Sequence, residues 1–466
     1  MSTYAEPAVS KPVDSIQQRL TSYACALDYD QLSPEAIHAA KVRVIDTLGV
    51  LIAGYDAEPS RIARILAAEM PHPSGATVIG SRMKTSPDLA AFANATAARY
   101  WELTDAYHWP GAFGGHASDV LTPVLAAAEY AQASGRDFIT AAVLAYEVYL
   151  RFNDIFDNFG FDHTNMCCLA TAMAAGKLLR LSPQQMSHCI SMAIVPNVAL
   201  RVSRMGQLSM WKAAATGQAG RAGIFAAQLA RAGMEGPHLP FEGKSGWCDH
   251  VALKRLTLDT MGGNGTPFKI LHTSIKMRPS IGLGVTLILA TEKISPLNMQ
   301  KVKHVLVELN RRAKNEMGTG AYNWSPETKE TADHSAAYLA GVTMMDGTVT
   351  PRSYDEAHLR NPQLHALMQK IEVVENEEFT RVYVQAAVQR ARVTVEMENG
   401  ERLLGESGGD KDNLSAPKSD AQIVEKFHGL TEDALGAARA NSIVERLWGL
   451  EKIGNAATIP PDFVLE

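Results

Sequence analysis

The chain has 466 residues, a formal net charge of −6 and a hydrophobic fraction of 46%. Charged residues of both signs are interspersed, and no basic block offers the surface that nucleic-acid phosphates demand. The length favours two domains, each with enough apolar residues for its own core. We therefore predict a globular enzyme that does not bind nucleic acid.

The N-terminus and the cysteines indicate the compartment. The N-terminal sequence MSTYAEPAVSKPVDSIQQRL lacks the apolar core of a signal peptide. No apolar run approaches the roughly 20 residues of a membrane span. The five cysteines contain no CxxC pair and are predicted to be reduced core thiols. The expectation is a cytoplasmic protein without a membrane segment.

The first half of the chain has a helical pattern. From residue 13 to about residue 255, segments such as VLTPVLAAAEYAQAS are rich in alanine and apolar on most faces, which is typical of closely packed helices. Ser33 and Ser182, each followed by proline, are predicted to cap helices. Gln185 would complete a capping box with Ser182.

β-Branched residues mark a change of character after about residue 272. HVLVELN (304–310), IEVVEN (371–376) and ARVTVEMENGERLLGES (391–407) are predicted strands, with ENG as a hairpin turn in the last of them. GGDKDNLSAPKSD (408–420) is a polar connector. An amphipathic helix opened by Thr431 then follows.

These elements predict a mainly α fold. A large all-helical domain, discontinuous in sequence, would comprise residues 1–271 and 415–466. A smaller α+β domain would comprise residues 272–414.

The segment ELTDAYHWPGAFGGHASDV, from Glu102 to Val120, carries several acidic residues and two histidines on a backbone that its proline and glycines make irregular. His116 lies just before a predicted helix, whose dipole disfavours a proton, so it is a candidate general acid or base. Its alternative is to hydrogen-bond the turn. Asp105 and His108 could also be imagined as metal ligands with their neighbours, but the spacing matches no usual zinc pattern. We predict no metal site.

Other candidates share a setting near helix starts or in tightly packed segments. His163, in FDHTNMCC, again precedes an apolar helix, where it could also be a simple cap. Lys212 lies in a run rich in small residues, so it must reach solvent or meet an anion. Lys276 lies at the predicted domain junction, where clefts commonly form. His334 begins an apolar helix and could equally be a core histidine.

The sequence contains no dinucleotide-binding glycine motif, phosphate loop or GxSxG motif. We therefore predict no cofactor. What remains is proton chemistry with histidines as acid and base and cations that hold carboxylates.

Five motifs, taken in order, resemble the MmgE/PrpD family, which includes 2-methylcitrate dehydratase, cis-aconitate decarboxylase and iminodisuccinate epimerase. They are RYWELTDAYHWPGAFGGHASDVLTPVLAAAE, FDHTNMCC, LSMWKAAATGQAGRAGIFAAQLARAGMEGP, SIKMRP and NWSPETKETADHSAAYLAGVTMMDGTVT. The resemblance covers nearly the whole chain. It implies a helical domain with an α+β lid, a homodimer and a cofactor-free site between the domains.

The resemblance also assigns residues. His116 matches the histidine of the family's His-Pro-Ser motif, with Ala117 in place of the proline. His163, Lys212 and Lys276 match the histidine and lysines of the following motifs, and Asp105 matches the second Asp of the Asp-rich motif.

Three positions depart from the family pattern. Glu102 replaces the first Asp of the Asp-rich motif and Ala106 a threonine. Ile281 replaces a histidine that some decarboxylases carry. The loop that leads to His116 also looks longer than usual. These differences argue against a simple transfer of a known activity.

We predict a cofactor-independent lyase that acts beside a carboxylate of a di- or tricarboxylic acid, of the 2-methylcitrate dehydratase type. Alternatives are a dicarboxylate epimerase or isomerase, a cis-aconitate-type decarboxylase and an inactive carboxylate-binding scaffold. The predicted catalytic residues are His116, His163, Asp105, Lys212 and Lys276. The predicted substrate contacts are Lys212, Lys276, Arg204, Tyr322 and His334.

Overall fold

The computed structural model describes residues 12–408 and 416–465. Two predicted features fall partly outside these ranges: the N-terminal sequence, and residues 409–415 of the polar connector. The described chain is mainly helical with small sheets, as predicted. No helix in the described ranges has the length and apolar character needed to cross a bilayer.

The first part of the chain consists of helices, and all but the third of them contribute to one apolar core. They are α1 (Ser15–Ala26), α2 (Pro34–Ala53), α3 (Glu58–Ala68), α4 (Pro87–Tyr100), α5 (Leu121–Tyr130), α6 (Gly135–Ile155), α7 (Thr164–Leu178), α8 (Pro183–Ile194) and α9 (Trp211–Arg231). Two short antiparallel pairs accompany them, formed by β1 (Pro71–Thr77) with β2 (Lys84–Thr85) and by β3 (Asp105–Ala106) with β4 (Ser274–Ile275).

The predicted helix starts are confirmed. Oγ of Ser33 accepts a hydrogen bond from the amide of Ala36 at 3.2 Å. Oγ of Ser182 accepts one from the amide of Gln185 at 3.2 Å, and Oε1 of Gln185 accepts one from the amide of Ser182 at 3.0 Å. These side chains satisfy amides that the first helical turn leaves without partners.

Small residues let α9 approach its neighbours closely. A Cβ at Gly220 would lie 2.5 Å from Cγ of Pro123, and one at Gly223 would lie 2.7 Å from the carbonyl oxygen of Cys168. These contacts hold α9 against α5 and α7. In the first turn of α9, Lys212 is buried and Trp211 is half exposed.

The second unit contains a sheet with strand order β6-β5-β7-β8 and helices against it. Its elements are α10 (Gly282–Glu292), β5 (Val302–Leu309), α11 (Arg311–Met317), α12 (Lys329–Ala332), α13 (Ala336–Asp346), α14 (Glu356–Leu359), α15 (Pro362–Met368), β6 (Ile371–Glu375), α16 (Glu377–Ala386), β7 (Ala391–Met397) and β8 (Arg402–Ser407). Strand β5 is parallel to β6 and antiparallel to β7. The strands predicted from β-branched residues are thus confirmed.

The predicted hairpin joins β7 and β8, and its turn requires the glycine. Gly400 has φ +85°, a left-handed conformation that disfavours a side chain. The alternating residues of β5 and β7 bury a second apolar core, which extends from Ile281 to Val395. The first core contains Ile275 and the second begins at Ile281, so the boundary between the two cores lies between these two residues. The exact domain limits stay a prediction.

The chain returns to the helical unit through α17 (Asp420–Leu435) and α18 (Ala437–Trp448). Phe427 packs against α2, where a Cβ at Gly49 would lie 2.9 Å from its ring. The prediction that Thr431 opens a helix is wrong, because Thr431 lies inside α17 and its hydroxyl donates to the carbonyl of Phe427 at 2.7 Å. The helix break comes instead at Gly436, which has φ +78°.

The prediction that all five cysteines are core thiols is also wrong in one case. Cys25 is exposed near the end of α1, whereas the other four cysteines are buried, and all five are free thiols.

Candidate active site

A cavity lies between the helical unit and the sheet-containing unit. Its walls come from the segment that follows α4, the turn at residues 201–208, the start of α10, α11 and the segment at residues 322–334. Its polar lining residues include Arg99, Glu102, His108, His116, His163, Arg201, Arg204, Arg312, Glu316, Tyr322 and His334. Four arginines thus face two glutamates, which favours an anionic ligand.

The glycine-rich segment between α4 and α5 forms the base of this cavity. Strand β3 anchors its beginning, and the amide of Tyr107 donates to the carbonyl of Gly115 at 2.9 Å, which closes a loop between them. His116 follows directly, ahead of a 3-10 turn over residues 117–120 that leads into α5. The predicted placement of His116 on irregular backbone before a helix is thus what the structure shows.

The hydrogen-bond network assigns the tautomer of His116. Its Nδ1 lies 2.6 Å from the carbonyl oxygen of Asp105. A carbonyl only accepts, so Nδ1 carries the proton. Burial, and after it the charges of Arg99 and Lys276, hold the pKa of His116 well below its usual value. The ring is therefore neutral, and Nε2 presents a free lone pair, 3.7 Å from Oε2 of Glu102.

His163 is assigned the opposite tautomer. Its Nδ1 lies 3.0 Å from the hydroxyl of Tyr149, which also accepts from the amide of His116 at 3.1 Å. Burial raises the pKa of Tyr149 well above its usual value, so the hydroxyl keeps its proton. Nδ1 of His163 is the one acceptor within hydrogen-bond distance of that hydroxyl among the described residues, so we assign Tyr149 as the donor. Burial also lowers the pKa of His163 to about 3. The neutral ring therefore carries its proton on Nε2.

The two imidazoles lie close together at the cavity wall. Their ring centroids are 5.6 Å apart and their planes are inclined by 69°. One ring offers a lone pair at Nε2 and the other an N–H at Nε2. A base and an acid can thus act on neighbouring atoms of one small molecule.

Asp105 is buried and does not line the cavity. Its carboxylate accepts hydrogen bonds from the amide of Ser118 at 3.0 Å and from the hydroxyl of Tyr146 at 2.9 Å. Its backbone carbonyl, not its carboxylate, holds the ring of His116. Asp105 thus positions the turn that carries His116.

Lys212 and Lys276 are both buried, but neither belongs to the cavity lining. Nζ of Lys276 lies 2.9 Å from Oε2 of Glu102, and Nζ of Lys212 lies 2.7 Å from Oδ1 of Asp333 and 3.4 Å from Oε1 of Glu102. Burial lowers the pKa of Lys276 to about 8, against the opposing attraction of Glu102. The structure therefore places protein carboxylates, rather than open space, at both ammonium groups.

Glu102 is the centre of this charge cluster. Burial alone would raise its pKa, but Arg99, Lys276 and Lys212 together lower it well below its usual value. Arg99 approaches Oε1 of Glu102 to 2.6 Å. Glu102 also has φ +53°, an uncommon conformation for a residue with a side chain. Glu102 thus joins the three cations Arg99, Lys212 and Lys276.

Of the five predicted substrate contacts, Arg204, Tyr322 and His334 line the cavity, whereas Lys212 and Lys276 do not. Nε of Arg204 pairs with Oδ2 of Asp162 at 2.9 Å, while its Nη2 has no hydrogen-bond partner among the described residues. Nδ1 of His334 lies 2.6 Å from Oδ1 of Asp333. His334 thus contacts Asp333 and lines the cavity, and its role in substrate binding stays a prediction.

Sequence reasoning missed Arg99 and Arg312. Arg99 is 3% exposed at the end of α4 and lines the cavity. A signal was present, because an arginine in the small-residue helix FANATAARYW has to meet an anion if it is buried. Arg312 comes from α11 and carried no such signal, since RRAK resembles an exposed helical turn.

Gly115→Ala is expected to disturb the histidine pair. A Cβ at Gly115 would lie 2.3 Å from the Tyr149 hydroxyl and 3.2 Å from His163. Relief of this overlap should cost about 1–3 kcal/mol and displace His163. Urea unfolding and a turnover assay measure the two effects. Gly111→Ala is the control, since Gly111 also has positive φ but a Cβ there meets nothing within 4 Å; equal behaviour of both variants would contradict the prediction.

Acid is expected to destabilise the protein before its carboxylates titrate. Burial lowers the pKa of His163 and of His108 to about 3, below the usual 6.5. The unfolded chain binds these protons more readily, so stability is complete above pH 6.5 and is lost as the pH falls toward 3. Each histidine contributes about 1.4 kcal/mol per pH unit within this window. Urea midpoints between pH 7 and 4.5 should fall less steeply for His163→Asn than for the wild type; parallel curves would contradict this.

Fold and cavity together define a mainly helical protein with neutral histidines in a cation-lined cleft. Residues 18–257 match the MmgE/PrpD N-terminal domain and residues 285–450 match the MmgE/PrpD C-terminal domain. The chain belongs to the MmgE/PrpD family, as the sequence motifs predicted.

Several curated relatives are similar over most of the chain. Cis-aconitate decarboxylase of Aspergillus terreus is 23% identical over 96% of both chains. 2-Methylcitrate dehydratase of Salmonella typhimurium is 24% identical over 81% of this chain and 82% of its own. The 2-methylcitrate dehydratase-like protein oryR of Aspergillus oryzae is 26% identical over 81% of this chain and 79% of its own.

Proposed function

We propose that this protein is a cofactor-independent lyase that acts beside a carboxylate of a di- or tricarboxylic acid, as a hydro-lyase of the 2-methylcitrate dehydratase type. The observation that carries the proposal is the pair of neutral histidines with complementary tautomers in a cavity lined by four arginines. The dehydratases among the relatives support the reaction type.

The first step is removal of a proton from the carbon beside a substrate carboxylate. Nε2 of His116 accepts it, because Nδ1 is held as a donor by the carbonyl of Asp105. Negative charge then develops on the substrate carboxylate. Arg204, with its free Nη2, and the neighbouring arginines stabilise that charge in a site shielded from water.

The second step is loss of the hydroxyl group. The electron pair of the broken C–H bond forms the double bond as the C–O bond breaks, and Nε2–H of His163 protonates the leaving oxygen to give water. His116 ends protonated and His163 ends deprotonated, and exchange with solvent restores both. A base and an acid in opposite tautomers suit elimination, which uses the base to remove the proton and the acid to release the hydroxyl.

Lys212 and Lys276 contribute through the carboxylates they hold. Direct contact of the two lysines with substrate stays a prediction. In the arrangement described here, they offset the charges of Glu102, which lines the cavity, and of Asp333, so that the arginines keep an excess of positive charge toward the substrate.

The assembly and the compartment are also part of the proposal. Apolar side chains near one surface support a homodimer: Leu200 is 59% exposed, Val202 75% and Trp211 51%. Light scattering at micromolar concentration tests the dimer. The cytoplasmic location stays a prediction, tested by cell fractionation.

A substrate panel in D₂O, followed by proton NMR, tests the activity. It contains hydroxy-, imino- and unsaturated di- and tricarboxylates. Loss of a hydroxy acid with appearance of the vinyl or allylic proton signals of the matching unsaturated acid identifies a dehydratase. Solvent exchange beside a carboxylate with interconversion of isomers and no unsaturated product identifies an epimerase or isomerase. Binding by calorimetry with no exchange over hours would identify an inactive scaffold and overturn the proposal.

Decarboxylation is the second candidate, because cis-aconitate decarboxylase of Aspergillus terreus matches 96% of the chain. Here CO₂ leaves with cleavage of a C–C bond, and one histidine protonates the resulting carbanion. Release of CO₂ from an unsaturated tricarboxylate in the same panel would favour this activity over dehydration.

A further inference from the structure

His108 is a histidine of the cavity that the proposed mechanism does not use. Neither of its ring nitrogens has a hydrogen-bond partner among the described residues, and both are shielded from bulk solvent. His108 nevertheless lines the same cavity as His116 and His163. Buried polar groups are normally paired, so this imidazole has hydrogen-bonding capacity that a polar group bound in the cavity can use.

The ring of His108 lies at the start of α10. A Cβ at Gly282, the first residue of α10, would lie 2.7 Å from Nε2 of His108. Ile281 precedes the helix and supplies no side-chain cap. The first amides of a helix have no partner within it, and its dipole favours negative charge there. Ile281, Gly282 and Leu283 all line the cavity. The amide of Ile281 donates to the carbonyl of Asp333, so the amides that can meet an anion are those of Gly282 and Leu283.

Arg312 adds a guanidinium group to this side of the cavity, and Glu316 offsets part of its charge from 3.2 Å. Its Nη2 donates to the carbonyl of Phe113 at 2.9 Å, which holds the guanidinium against the glycine loop. Burial, and after it the charges of Arg312 and Lys276, lower the pKa of His108 to about 3. The imidazole therefore stays neutral at working pH and always has one N–H to donate.

We propose that His108, Arg312 and the first amides of α10 form a second anion subsite, which binds a substrate carboxylate remote from the reacting carbon. The proposal rests on the proposed function, since it names the substrate class of the same cavity. It restricts substrates to acids with at least two carboxylates, one beside the histidine pair and one at His108. The subsite also gives a reason for the glycine at position 282, because a side chain there would displace the imidazole of His108.

Two unreactive acids of similar length, succinate and butyrate, test the subsite by titration calorimetry. The wild type is expected to bind succinate more tightly than butyrate. His108→Leu removes the hydrogen bond and should weaken succinate binding roughly 10- to 100-fold, the usual effect of one hydrogen bond to a charged group. Butyrate binding should not change.

Two conservative variants and a glycine variant separate recognition from a structural effect. His108→Asn retains a donor near the position of Nδ1 and His108→Gln retains one near Nε2, so one of them should recover much of the succinate affinity. Gly282→Ala should weaken succinate binding while His108 itself is intact. Thermal melting of each variant reports folding independently.

The outcomes are distinguishable from those of the activity assay. Equal succinate affinity of the wild type and His108→Leu, or equal loss for succinate and butyrate, would overturn the subsite. So would a wild type that does not prefer succinate to butyrate, even if the D₂O panel reveals turnover. Conversely, succinate affinity that depends on His108 would support the subsite even if no acid in the panel exchanged a proton.

Discussion

His116→Gln is expected to slow turnover of the substrate about 10²- to 10⁴-fold, the usual contribution of one general base. The reason is that Nε2 of His116 is the unprotonated nitrogen, because Nδ1 donates to the carbonyl of Asp105. A glutamine side chain fills similar space but cannot accept a proton at working pH. Steady-state turnover of the acid that the D₂O panel identifies measures the effect.

His163→Asn provides the comparison within the same site. If His163 only protonates the leaving oxygen, this variant should still exchange the proton beside the carboxylate with D₂O while net elimination slows. His116→Gln should lose both. His304→Gln, a change at a half-exposed histidine of β5, serves as the unrelated control. Full turnover of His116→Gln would show that the base lies elsewhere.

The same pair of histidines shows what the sequence could predict. Both precede apolar helices in segments with turn residues, so local patterns were enough to place them on loops at helix starts. Their tautomers depend on the carbonyl of Asp105 and on Tyr149, which lie 11 and 14 residues away and become partners only after folding. Acid and base roles could therefore not be separated from the sequence.

The lysines show a different limit. The crowding of small residues around Lys212 correctly required that a buried ammonium group meet an anion. The anion is Asp333, 121 residues later in the chain, and no local pattern joins the two. The role of Glu102 could not be predicted for the same reason. Its partner Lys276 lies far away in the sequence, and only the folded chain brings Glu102 into contact with both Arg99 and Lys276.

The start of the last predicted helix was wrong because two sequence signals competed there. Thr431 followed by acidic residues has the composition of a helix start, but Phe427 and Thr431 are one turn apart on a face that α2 buries. Packing of that face continues the helix through Thr431. Gly436, with its positive φ, supplies the actual break.

Asp333→Asn is expected to destabilise the fold by about 3–5 kcal/mol, the usual cost of removing one partner from a buried ion pair. Oδ1 of Asp333 lies 2.7 Å from Nζ of Lys212, and Oδ2 lies 2.7 Å from Nζ of Lys329. Burial opposes the charge of Asp333, but these two lysines and His334 lower its pKa well below the usual value. Asparagine keeps the shape and leaves both ammonium groups without their shared carboxylate. Urea unfolding followed by tryptophan fluorescence measures the loss.

A matched pair of variants decides whether charge is the cause. Glu356→Gln breaks an exposed pair with Arg360, both 77% exposed, and should change stability by about 0.5 kcal/mol or less. Adding Lys212→Met to Asp333→Asn removes one uncompensated ammonium group and should recover part of the lost stability. The free energies of unfolding of the two single variants and the double variant are then compared. If Lys212→Met lowers the stability of Asp333→Asn as much as it lowers that of the wild type, the two residues act independently. Coupling would instead establish that one ion pair, between α9 and the segment before α13, joins the helical unit to the sheet-containing unit at the cavity.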